Sequence, residues 1–112
     1  MLPPEVRKFL SDMADAATAI ETFCAGRAPA DLSKDQLFRS AVYYQFVIIG
    51  EALSQLRKID EPTFNRISEA PRIIGFRNQI IHGYQVIRDA VTWQIIQDKL
   101  PILRAELATL LA

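Results

Sequence analysis

Apolar residues recur at three- and four-residue steps along most of the chain. Val6, Phe9, Leu10, Met13, Ala16, Ala17, Ile20, Phe23 and Cys24 fall on one stripe, which predicts an amphipathic helix over Glu5 to Cys24. Gly26 is placed to terminate it in a left-handed turn, and Ala28-Pro29-Ala30 makes the connection. Ser33 and Gln36 have capping-box spacing, so a second, long helix is expected to start there and run through LFRSAVYYQFVIIGEALSQLRKI. Its centre is apolar nearly all round, the pattern of a helix covered by several neighbours.

Two residues break that apolar run. Gly50 costs a helix about 1 kcal/mol against alanine, so close packing by another helix is the expected compensation. Glu51 either sits at the margin of the buried face or pairs with a cation, because an unpaired buried charge is strongly disfavoured.

Beyond it, Asp60 caps a short helical turn around Pro62 to Ile67. Pro71 opens a helix that reaches His82 and is ended by Gly83. Asp89 is expected to cap a last helix carrying Val91, Ile95, Ile96, Leu100, Leu103, Leu107, Leu110 and Leu111, with a kink at Pro101. No strand-like alternation competes. The expected architecture is all-α: an antiparallel bundle of four main helices plus a short extra helix, in one domain over residues 1–112.

A chain of 112 residues, half apolar and about a quarter charged, has the balance of a folded globular domain. Its formal charge is zero, so any anion site must be local. One third is locally basic: Arg57, Lys58, Arg66, Arg72, Arg77 and Arg88 are opposed only by Asp60, Glu61 and Glu69. That asymmetry fits either an anion site or a set of solvated helix faces. Cys24 is alone and His82 is the single histidine, which excludes an intramolecular disulfide and argues against a zinc site. There is no glycine-rich loop of Walker type, so no cofactor or metal is implied. Charges and prolines near the start replace the apolar run of a signal peptide, and no stretch approaches the roughly 18 apolar residues of a membrane span. A cytoplasmic location with no membrane partner is expected.

The candidate chemistry lies in RNQIIHGY, residues 77–84. Asn78 and His82, four apart, share a helix face, whereas Arg77 is about 140° around from His82. At a helix C-terminus the free carbonyls favour an imidazolium, which suits an acid or a phosphate-binding group. The residues alone leave alternatives open: His82 as a capping group, Arg77 as the partner of Glu51, and Tyr84 as an interface aromatic.

The segment GFRNQIIHGY resembles the R-x4-H-x-Y motif of the HepT-like toxins, within the HEPN superfamily of α-helical ribonuclease domains. FLSDMADAATAIETF, VIIGEAL and VTWQIIQDKLPIL resemble the corresponding helices in the same order, so the likeness covers nearly the whole chain. One departure is Ala70-Pro71-Arg72, where the family usually places a Pro-Trp pair farther ahead of the motif.

The resemblance implies a metal-independent endoribonuclease acting as the toxin of a pair with an MNT-type nucleotidyltransferase antitoxin. It implies Arg77 and His82 as the catalytic pair in the cleft of a homodimer, Asn78 as a supporting polar residue, and Tyr84 as the hydroxyl that receives AMP. Glu51 is expected to orient Arg77. A catalytically silent module that binds nucleotide, RNA or a nucleotidyltransferase is the alternative.

Overall fold

In the computed structural model two of the long helices end at the glycines that the pattern singles out, Gly26 and Gly83. The structure describes residues 2–83 and 87–112. Its helices are α1 (Pro4–Cys24), α2 (Asp31–Lys34), α3 (Gln36–Ile59), α4 (Glu61–Phe64), α5 (Ala70–His82), α6 (Asp89–Gln94) and, after a π-helical turn over Ile95–Lys99, α7 (Leu100–Leu111). No strand occurs among the described residues, and the fold class is the expected all-α bundle of four long helices. Two separate short helices, α2 and α4, accompany them where one was expected, and the short α6 runs through the π turn into α7. No helix among the described residues is long and apolar enough to cross a membrane.

The long helix α3 is central. It packs against α1 on one side and α5 on another, and α7 closes the core against α1. Leu10, Met13, Ile20, Phe46, Ile49, Leu53, Phe76 and Leu103 are all fully buried there. Removing any of these large side chains costs about 2–5 kcal/mol.

Two local expectations are corrected. Ser33 does not cap α3; Asp35 does, its carboxylate accepting from the Phe38 N–H at 3.1 Å. Asp35 is also held by Arg27 at 2.9 Å, so the nearer acceptor wins with a second partner to fix it. Ser33 instead donates its hydroxyl to Asp89. Asp89 consequently is not the cap of α6: Arg88 occupies that position, without a side-chain bond, and Asp89 stands in the first turn. At Pro101 the chain makes a π turn just ahead of the proline, in which the Leu100 N–H reaches back to the Ile95 carbonyl. The ring of Pro101 cannot donate and crowds the preceding turn, and the wider turn gives it room.

Other expectations hold. Asp60 accepts from the Thr63 N–H at 3.2 Å and from its hydroxyl at 2.7 Å, capping α4. Gly26 (φ 75°) and Gly83 (φ 64°) take the left-handed conformation that ends α1 and α5. Without the Pro-Trp pair, α5 begins on buried Ala70 and Ile73, with Pro71 in its first turn.

Candidate functional site: an arginine seated on the central helix

Phe76 fixes the rotation of α5. Its ring meets Phe46 edge-on at 5.0 Å between centroids and Tyr43 at 6.1 Å, both from α3. Such aromatic pairs contribute about 0.5–1.5 kcal/mol beyond the area they bury. With Phe76 pinned inward, the next residue, Arg77, is turned about 100° along the helix and its stem lies on α3 at Gly50. A β-carbon on Gly50 would come within 2.5 Å of both Cβ and Cγ of Arg77. Glycine is therefore required by a neighbour's side chain, not by a turn.

The guanidinium beyond that stem is held by the same helix. Nη1 donates to Glu51 Oε1 at 2.5 Å, and Nη2 donates to the Ser54 hydroxyl at 2.9 Å. Glu51 and Ser54 are three residues apart and so face the same way. The Arg77 side chain is 14 % exposed and that of Glu51 is 53 % exposed, so solvent screens the ion pair to about 1 kcal/mol or less. Its role is orientation more than stability. Nε is buried beside Gly50 and donates to no partner among the described residues, which ordinarily costs about 1–3 kcal/mol. Glu51 thus meets both parts of its expectation, lying at the rim of the buried face and pairing with a cation.

Arg77 opens onto a groove of about 360 Å3 between α3 and α5, lined by Glu51, Ser54, Gln55, Arg57, Lys58 and Ile74. A second groove, of about 350 Å3, lies on the other side of Glu51 and is mostly apolar, with Phe9, Tyr44, Val47 and Ile48 in its walls.

Asn78 and His82 are both exposed on α5, His82 as its last residue before Gly83. The Gly83 N–H closes the helix on the Gln79 carbonyl at 3.2 Å. Five helical steps separate His82 from Arg77, by about 7.5 Å along the axis and about 140° around it. Tyr84 lies outside the described residues. Cys24, half-buried at the end of α1, has its thiol pushed up to about 11 by burial, with Arg27 pulling the other way; it stays a thiol at neutral pH.

Sequence reasoning missed Ser54. Its spacing from Glu51 was visible, but a serine in a helix has many uses, and only the placement of α5 reveals this one.

The model of the family described as "Ribonuclease HepT-like" matches residues 13–110. The chain belongs to the HepT-like ribonuclease family. It is 27 % identical over 104 residues to a protein of Methanocaldococcus jannaschii named "Putative RNase MJ1380", a match covering 91 % of this chain and 93 % of that one. A second protein of the same organism, "Putative RNase MJ0127", is 28 % identical over 99 residues, covering 87 % of this chain and 79 % of the relative. No solved structure matches the chain. Family and relatives together support a ribonuclease function.

Proposed function

We propose that the protein is a metal-independent endoribonuclease whose site is composed, across a homodimer, from Arg77 and His82 of both copies. The observation that carries this reading is the seating of Arg77: stem on Gly50, head on Glu51 and Ser54. A guanidinium with a buried, orphaned donor is an arrangement that folding alone does not favour, and such costs gather at functional sites.

In the reaction a ribose 2′-hydroxyl attacks the adjacent phosphorus. A 2′,3′-cyclic phosphate forms, the bond to the 5′-oxygen breaks, and one proton leaves the 2′-oxygen while another reaches the departing 5′-oxygen. Neutral imidazole accepts the first and imidazolium donates the second. One His82 cannot do both at once, so two copies divide the work. Arg77 offers fixed N–H donors to the non-bridging oxygens as negative charge develops on them. Asn78, on the same face as His82, is a supporting polar contact. The apolar groove lined by Phe9, Tyr44, Val47 and Ile48 borders Glu51 and suits a second copy of the chain.

In this reading the enzyme is the toxin of a pair with an MNT-type nucleotidyltransferase. AMP transferred to the Tyr84 hydroxyl, two residues past His82, adds bulk and negative charge that oppose entry of a phosphate. Equal labelling of wild-type and Tyr84→Phe protein by the cognate antitoxin would remove Tyr84 from the scheme.

The test of the activity is incubation with total RNA in excess EDTA, beside Arg77→Ala and His82→Ala variants shown to be folded and dimeric. Cleavage to 2′,3′-cyclic ends by wild type alone is expected. Cleavage by all three proteins indicates a contaminant, and cleavage by none favours a silent module that binds RNA or a nucleotidyltransferase.

A further inference from the structure

Arg77 is one of three cations on a single groove, and the other two have no assigned task. Ser54 and Gln55 each lie three or four residues from both Glu51 and Lys58 on α3, so the four share the face turned toward Ile74 and Arg77 of α5. Arg57, also on the groove wall, has its guanidinium carbon 5.5 Å from the centre of the Phe64 ring. Stacking of this kind holds a charge in place while leaving its N–H groups in solvent. Arg57 and Lys58 are exposed, and among the described residues neither is in salt-bridge range of a carboxylate, whereas Arg77 has Glu51. The groove therefore carries more positive than negative charge, and its surplus lies away from Arg77.

From Glu51 to Lys58 the groove follows α3 for seven residues, about 10 Å at the rise of an α-helix. Phosphates along a stacked strand are spaced by roughly 3.4 Å in axial rise, so this length reaches past a phosphate at Arg77 to its neighbours.

We infer that Arg57 and Lys58 form a phosphate-binding track for the single-stranded RNA that flanks the scissile phosphate. This rests on the ribonuclease reading above and adds to it where the strand runs: from Arg77 along α3 toward α4. Ser54 and Gln55, between the cations, present hydrogen-bonding groups to the sugars. The track contacts backbone and not base edges, so it contributes affinity without sequence preference.

The test uses a fluorescently labelled single-stranded RNA with 2′-O-methyl riboses, which cannot undergo the cleavage step, and measures binding by anisotropy over a range of salt. Three proteins are compared: wild type, the double variant Arg57→Gln/Lys58→Gln, and the control Lys8→Gln/Lys34→Gln, whose lysines lie on other helices. Each phosphate contact on a single strand contributes roughly 0.7 to the slope of log affinity against log salt. Loss of two therefore lowers the slope by about 1.4 and weakens binding on the order of tenfold at 0.1 M salt. That change in the groove variant alone supports the track. An unchanged slope in the groove variant, an equal fall in the control, or no RNA binding by wild type overturns it. Cleavage of unmodified RNA by wild type is scored separately. Binding with the expected slope change but no cleavage keeps the track and sinks the nuclease, while cleavage with an unchanged slope does the reverse.

Discussion

Gly50 and Arg77 occupy one space: the first two carbons of the arginine stem lie where any side chain on residue 50 would begin, 2.5 Å from an ideal β-carbon. Because these carbons are next to the α5 backbone, they cannot swing aside as the tip of a flexible chain would. Gly50→Ala must therefore move a helix or expel the arginine. Overpacking of this kind costs about 1–3 kcal/mol, against about 1 kcal/mol returned by alanine's better helix propensity. A net loss of about 1 kcal/mol is expected, read as a lower urea midpoint, with loss of RNA cleavage. A Gly50→Ala protein more stable than wild type would show that the stem does not rest there.

Glu51 and Ser54 orient Arg77 from one face of α3, and neither is expected to matter much for stability. Glu51→Gln and Ser54→Ala should each change unfolding free energy by about 1 kcal/mol or less. Misplacing a positioned group costs far more in rate, on the order of tenfold to a hundredfold. The measurement is kcat/KM on a fixed RNA beside the unfolding curve for each variant. A cleavage rate that tracks stability one for one would reduce both residues to structural contacts.

The apolar groove beside Glu51 has Tyr44 on its rim, 64 % exposed. Tyr44→Glu places a charge where the second copy is proposed to sit, at little cost to the monomer. Sedimentation should report a monomer with an intact helical spectrum, and cleavage should fall with it. A variant that stays dimeric would move the interface elsewhere.

Asp35 gives the stability a defined acid dependence. The Phe38 N–H, and after it the Arg27 guanidinium, hold its carboxyl below the usual value of 3.8. A carboxyl depressed in the folded state stabilises the protein above its unfolded value, and that contribution disappears as pH falls from 3.8 through the lower, folded value. Asp35→Asn keeps a capping oxygen and removes the titration. Its stability should depend less on pH below 3.8 than that of wild type, as followed by urea unfolding at a series of acidic pH values. Identical acid profiles would mean that Asp35 is not titrating in this way.

What the sequence made legible was whatever depends on neighbours along one helix. The stripe of α1, the breadth of apolar surface on α3 and the Gly83 stop are all local. The pairing of Glu51 was legible too, because a carboxylate in VIIGEAL has few tolerable fates. That Gly50 needed close packing could be read, yet not that its neighbour would be the arginine of the motif. The errors came from contacts across the fold. Ser33 and Asp89 are 56 residues apart, and their hydrogen bond takes both from the capping roles their local spacing suggests. Ser54 had no local signal that set it apart from a solvated helical serine. Asn78 and His82 share a face as the spacing requires, but whether that face meets a second copy, as proposed, is a property of two chains.

The π turn at Ile95–Lys99 bears on how relatives of this chain are compared. A π turn holds one residue more than the α turn it replaces, so this stretch is a place where chain length can vary while the leucines of α7 keep facing the core. A homologue lacking one residue between positions 95 and 99 can continue as plain α-helix with the same side buried. An alignment gap at that point then marks a change in winding, and the two proteins remain equivalent on either side of it.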